Sequence, residues 1–293
     1  MKSPAKNTAL LSLVFGAILI SFSPVFVKLA HVGPTVAGVY RVLFGGISLL
    51  IYALIKKEKF WLGLKPFLWA TLIGFVFALD LTAWHRSIHY IGPGLSTLLG
   101  NFQVFFLTAF GLIFLKERLT RQFMIAVPLA MAGLVLIFGW HWEHFDIDYK
   151  IGFLLGLATA ISYAFFTLAL RHSQTRANAL APSVNLIIIS FVTAFIMTIF
   201  SLVQAESFAI PDWQSWGALL GYGIFCQAMA WLVISKALPK VKASLAGLIL
   251  LLQPTLAFVW DTLLFSRSTT GLEITGAIMA LVAIYLGSIR ANK

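Results

Sequence analysis

The chain has 293 residues, of which 60% are hydrophobic and only 11% charged, and its formal net charge is +11. An average soluble domain is nearer a quarter charged, and a water-soluble globule of this size could not hide so much apolar surface. Disorder is excluded by the same figures, since disordered chains are polar and poor in aromatics, whereas this one has 26 Phe, 9 Trp and 7 Tyr.

With a mean hydropathy of +0.94, the chain reads as a series of membrane spans, each needing roughly 20 apolar residues. The first apolar run, 8–29, follows Lys2 and Lys6. It is long for a signal-peptide core and no small-x-small cleavage site follows, so it reads as a retained span. Pro24 within it removes a backbone donor, which a neighbour or water must offset. Further runs lie at 35–55, 66–86, 94–115, 121–139, 151–170, 182–203, 214–236, 243–264 and 271–289. All are long enough to cross as helices, and none shows the short alternating pattern of a membrane barrel. Gly92-Pro93-Gly94 reads as the turn between spans 3 and 4. The single cysteine, Cys226, excludes an intrachain disulfide and a cysteine-based metal site.

Charge sets the expected orientation. With the N-terminus in the cytoplasm, Lys56, Lys57, Lys59, Lys116, Arg118, Arg171, Arg176, Lys240 and Arg290 all fall on that side, while Glu143, Asp146, Asp148, Glu206, Asp212 and Glu273 fall on the other. This obeys the positive-inside rule and places both termini in the cytoplasm. Trp61, Trp69, Trp140, Trp142, Trp213 and Trp216 suit aromatic belts at the headgroups.

The chain also repeats itself. Pro34-Thr35-Val36 and Pro182-Ser183-Val184 open spans 2 and 7, Leu95-Ser96 and Ala243-Ser244 begin spans 4 and 9, and Pro128 and Gly276 lie in spans 5 and 10, each pair 148 positions apart. Trp84 and Trp231 are 147 apart. A five-span unit repeated in tandem must insert its second copy upside down, an architecture that recurs in secondary transporters. The expected organisation is a first repeat at 1–140, an extracytoplasmic linker at 141–150 and a second repeat at 151–293. The fold class is thus all-α polytopic, with ten transmembrane helices as two inverted five-helix repeats.

Ten short spans, two five-span halves and Leu115-Lys116-Glu117-Arg118-Leu119-Thr120 at the end of span 4 resemble the EamA-like branch of the drug/metabolite transporter superfamily. The hexapeptide is similar to that family's "hydrophobic-x-Glu-Arg-Leu-Thr" motif. Phe265-Ser266-Arg267-Ser268, at the matching place in the second half, lacks the glutamate. Pro254 in span 9 matches a proline common in the family, while Phe106 occupies the corresponding place in span 4. The resemblance covers nearly the whole chain. It implies movement of small metabolites and a bacterial inner membrane.

Ionisable groups inside hydrocarbon default to functional hypotheses. Arg41 lies about 10 Å into span 2, and Asp80 about 9 Å from the same side of span 3, at 1.5 Å per residue. They either pair or share a water-filled vestibule; the plain alternative is that Arg41 snorkels. Asp80 is the candidate coupling residue. Burial and a nearby guanidinium act on a carboxylate's proton affinity in opposite senses, so sequence leaves both a proton-carrying and a fixed-charge role open. Lys28 and Asp261 sit near span ends and read as wet. Uncharged polar and aromatic residues complete the candidate substrate-binding set: Trp84, Asn101, Tyr163, Asn185, Gln227, Trp231 and Gln253, with helix–helix hydrogen bonding as the competing role for each. Gly and Ala along spans 2, 5 and 10 read as close helix packing.

His85 and His89 lack an HExxH context, His141-Trp-Glu-His144 offers too few ligands, and no phosphate-binding glycine loop is present. No metal, cofactor or nucleic acid is therefore expected; the expected partners are a small-molecule substrate and the lipid bilayer, the chain acting as monomer or homodimer. The leading reading is a secondary active transporter, exporter or exchanger, of a small organic metabolite such as an amino acid. It would be a non-enzyme working by alternating access. The alternative is a membrane-embedded lipid-handling protein or enzyme, which would need convergent acids, histidines or a nucleophile at one depth.

Overall fold

A computed structural model of the chain describes residues 4–138, 147–176, 178–266 and 269–290, and all regular structure among them is helical. The helices make ten spans. Eight are long and apolar enough to cross a membrane, and Arg121–Ile137 and Gly271–Gly287 are shorter apolar helices that complete the set. Most of the expected linker, 141–146, lies outside the described residues, as do His141, His144, Trp140, Trp142 and Arg267.

Span 1 is broken at Phe22 into Pro4–Ser21 and Ser23–Leu29, with Pro24 in the first turn of the second piece. The proline thus sits where its missing N–H costs no helix bond. Span 2 is Pro34–Ile55 and span 7 Pro182–Val203. Spans 3 and 4 share one helical segment, Leu64–Gly100, followed by Gln103–Ile113. Helical bonding runs on through Gly92-Pro93-Gly94, but the chain still reverses there. The Ser96 hydroxyl donates to the Trp84 carbonyl at 3.3 Å, although twelve residues of straight helix would separate the two by about 18 Å. Span 5 is Arg121–Phe138, span 6 Ile147–Ser173 and span 10 Gly271–Arg290. Span 8 is Trp213–Ala237 with a π-helical stretch, Tyr222–Met229, at its centre. Span 9 consists of Ala243–Leu250 and Leu252–Phe265.

The repeat is visible in backbone detail. Spans 2 and 7 have 22 residues each, start with proline after residues of near-identical geometry, and end in a left-handed residue, Lys57 and Ala205, both at φ 53°. The backbone bonds from Lys56, Lys57 and Glu58 to Tyr52, Leu54 and Ala53 recur from Gln204, Ala205 and Glu206 to Phe200, Leu202 and Ser201. Spans 4 and 9 are each interrupted at one place: Asn101 bonds back to Leu98, and Leu251 to Leu248, three residues rather than four. Their C-terminal residues Lys116 and Ser266 again match, at φ 51° and 50°.

Two units of the chain form, each drawing on both repeats: Met1–Thr82 with Phe165–Lys240, and Ala83–Ala164 with Val241–Lys293. In the first, span 2 packs on span 7 and span 1 on span 8; in the second, span 4 packs on span 9 and span 5 on span 10. Small residues set these approaches, as expected of helices in lipid. A Cβ on Gly133 of span 5 would stand 2.5 Å from the Gly276 carbonyl of span 10, and one on Gly45 of span 2 would stand 2.4 Å from Gln227. At one end of the first unit Asp212 caps span 8, accepting from the Ser215 N–H at 2.7 Å, and lies 2.6 Å from His31 Nδ1. The hydrogen bond with His31, then that from Ser215, holds the Asp212 carboxyl below its ordinary pKa.

Candidate functional site

Among the described residues, more buried polar side chains lie in the first unit than in the second. Arg41 of span 2 is 7% exposed. Its Nε donates to Gln227 Oε1 at 3.1 Å and a terminal nitrogen donates to the Tyr222 hydroxyl at 3.3 Å. Its guanidinium carbon stands 5.1 Å from the centre of the Tyr222 ring. Gln227 Nε2 in turn donates to Ser190 Oγ of span 7 at 3.2 Å. The π-helical stretch of span 8 explains how Tyr222 and Gln227 reach the same guanidinium. Residues five apart diverge by about 140° around an α-helix, whereas i→i+5 bonding winds them close to register. Gly45 and Gly223 then let the two backbones approach closely enough for a long arginine to be held sideways.

Asp80 of span 3 is equally buried, interacts electrostatically with Arg41, and its Oδ1 has no hydrogen-bond partner. An orphaned carboxylate oxygen in a dry interior is expensive, and such groups mark places where a proton or ligand completes the set. One turn before Asp80, Phe77 stacks on Phe166 of span 6 with centroids 4.4 Å apart. Both meet the Trp231 ring edge-on, at 6.0 and 4.8 Å. A cation held by an amide and a phenol, an acid and an aromatic trio thus occur within one unit.

The sequence candidates fall into separate groups. Arg41, Asp80, Gln227 and Trp231 belong to the cluster just described. Tyr163 and Gln253 meet in the second unit, where Gln253 Nε2 donates to the Tyr163 hydroxyl at 3.3 Å. Asn101 bonds locally, to the Thr97 carbonyl at 2.7 Å, at the interruption in span 4. Trp84 sits against the His85 ring beside the span 3–4 reversal. Asn185 donates to Ser173 Oγ at 2.8 Å and shares a cleft with Trp69 and Arg176 rather than the Arg41 network.

Several residues of the site escaped sequence reasoning. Tyr222, Ser190 and Phe77 sit in apolar runs with nothing local to single them out, and no sequence pattern signals the π-helix that aligns Tyr222 with Gln227. Gln103 was visible in principle. It is two residues past the span 4 interruption, as Gln253 is past that of span 9; it is 1% exposed and its Oε1 is unpartnered. Glu117, noted only as part of a motif, has a definite structural job. Its Oε1 accepts from the Ala243 N–H at 2.7 Å, and its Oε2 from the Ser244 hydroxyl at 2.6 Å, capping span 9 from the end of span 4. Gly111 makes room for that carboxylate, since a Cβ there would stand 2.6 Å from Glu117 Oε2.

The model of the EamA-like transporter family matches residues 7–139 and 150–289. The chain belongs to the EamA-like transporter family. It is 25% identical to the uncharacterized transporter YvbV of Bacillus subtilis (strain 168), over 98% of this chain and 93% of that one. It is 27% identical to a probable amino-acid metabolite efflux pump of Salmonella typhimurium, over 66% of each chain. It is 20% identical to the pseudopaline exporter CntI of Pseudomonas aeruginosa (strain UCBPP-PA14), over 80% of each. A protein of known crystal structure superposes with a TM-score of 0.83 at 16% identity, covering 97% of this chain and 98% of that one, which fixes the fold. The two family matches fall one on each half, so the ten-helix, two-repeat architecture is that of EamA-like transporters. This is a multi-pass membrane protein of a family of transporters, and its relatives are named as transporters, exporters and efflux pumps, not as enzymes.

Proposed function

We propose that this EamA-like protein is a secondary active transporter, an exporter or exchanger, of a small organic metabolite bearing a carboxylate, such as an amino acid or a related solute. The observation that carries this reading is the Arg41 network. A planar guanidinium buried in a membrane span and oriented by Gln227 and Tyr222 suits a carboxylate, which it can bind through two parallel hydrogen bonds. The Phe77–Phe166–Trp231 group, packed on itself in this conformation, is the apolar wall the solute's apolar part would meet once the site opens. Asp80 is the coupling residue, exchanging a proton or meeting the solute's amine. The matched half-chains support alternating access, since two near-equivalent inverted halves can exchange conformations and open one site to each side in turn.

Both termini lie in the cytoplasm in this reading, and the membrane is the bacterial inner membrane, as the distribution of Lys and Arg supports. The names of the Salmonella and Pseudomonas relatives point to efflux of amino-acid-like solutes by those proteins. A counterflow screen in proteoliposomes with labelled amino acids, nucleosides and nucleotide-like cofactors tests the assignment. Accumulation of a carboxylate-bearing solute is expected; accumulation only of solutes without a carboxylate would reject the role given to Arg41.

A further inference from the structure

Spans 2 and 7 carry the same chemistry at both ends and use it at only one. At the end of span 2, the left-handed Lys57 turns the chain so that Glu58 reaches Ser183, in the first turn of span 7, whose hydroxyl donates to Glu58 Oε2. Ser183 is 1% exposed. The residues 148 positions away are Glu206, just past span 7, and Thr35, in the first turn of span 2. Glu206 follows the left-handed Ala205 with the same backbone bonding as Glu58, and threonine supplies the same hydroxyl as serine. Yet Glu206 Oε2 is buried and has no hydrogen-bond partner.

Between the two ends the helices pack closely at Gly46, where a Cβ would stand 3.2 Å from Ser190 Cβ. On span 2 the ends lie roughly 17 Å from that point, and on span 7 Ser183 and Glu206 lie about 10 Å and about 24 Å from Ser190, at 1.5 Å per residue. Two helices pivoting at Gly46 can bring Glu58 to Ser183 or Glu206 to Thr35, and closing one end spreads the other. Ser190, at the pivot, also accepts the Gln227 amide that holds Arg41, so whatever sits at the guanidinium bears on the pivot.

We propose that Glu58–Ser183 and Glu206–Thr35 are reciprocal latches at opposite ends of spans 2 and 7, engaged in alternation as the carrier changes the side to which it opens. This rests on the alternating-access reading above. In the structure the Glu58 end is engaged and the Glu206 carboxylate is not, and only a differential contact of this kind can bias a two-state equilibrium.

The test reads conformation without needing a substrate, so it stands whether or not flux is found. In a Cys226→Ala background, a single reporter cysteine replaces Val184, which is fully buried beside Ser183. Its reaction with a water-soluble maleimide is timed on purified protein. Glu58→Gln should speed labelling by about tenfold, the scale of losing a hydrogen bond to a charged partner. Ser183→Ala, which removes only the hydroxyl, should act in the same direction and serves where Glu58→Gln does not fold. Glu206→Gln should slow labelling or leave it unchanged, because it weakens only the opposite conformation. An unchanged rate in both Glu58→Gln and Ser183→Ala, or acceleration by Glu206→Gln, would overturn the proposal.

Discussion

The two units bury different things. The first holds Arg41, Gln227, Ser190 and Thr193 at depth, each in a hydrogen bond between helices, together with the buried Asp80. The second also buries Gln103 and Thr159, but its core is built on Leu98, Leu99, Val104, Phe123, Leu134, Leu248 and Leu251, with alanines and Gly133 against Gly276. An apolar core costs little to keep closed and packs at native density. A buried charged network is expensive and is kept where it does something. The first unit reads as the working part and the second as the frame, and substitutions should separate them.

The largest expected effect is at Arg41. Arg41→Ala should lower transport at least about a hundredfold while folded protein still reaches the membrane, and Arg41→Lys should not restore it, because an ammonium lacks the planar fork. Counterflow of the purified variants checks both, and near-normal flux in Arg41→Ala would move the solute site elsewhere. In the frame the effect should be on stability. Gly276→Val would force side-chain atoms against the Gly133 carbonyl, and by analogy with overpacked cores should cost about 1–3 kcal/mol or more. A thermal melt in detergent reads this as a lowered midpoint.

Asp80→Asn should leave exchange but remove the dependence of net transport on a proton gradient; a retained dependence would assign coupling to another group. The smallest effect belongs to Asp212. Because its carboxyl is held below its ordinary value, its cap adds stability above the usual carboxylate range and loses it as pH falls through the depressed value. The melting difference between wild type and Asp212→Ala should therefore be present at neutral pH and shrink in acid.

The spans were readable because lipid imposes a length and a composition on each. The apolar run 182–203 is span 7, Pro182–Val203. The repeat was readable from paired residues such as Pro34 and Pro182, which open helices of equal length. Arg41 and Gln227 stood out because polar side chains are conspicuous in apolar runs, and the two do meet. Tyr222 did not stand out, because five residues from Gln227 it is off the face that α-helical spacing assigns, and only the π-helix brings the two together. Nor did the division into units, each of which takes helices from both halves of the sequence. Long-range pairings such as Glu117 with Ser244 depend on how helix ends meet, and no local pattern encodes that.

The central claim is a carrier whose site opens to one side at a time, and trans-acceleration tests it most directly. Proteoliposomes preloaded with unlabelled solute should take up labelled solute several times faster than empty ones, since a loaded carrier returns more readily than an empty one. Equal rates with and without preloading, at a flux well above protein-free liposomes, would contradict the account and describe an open pathway instead.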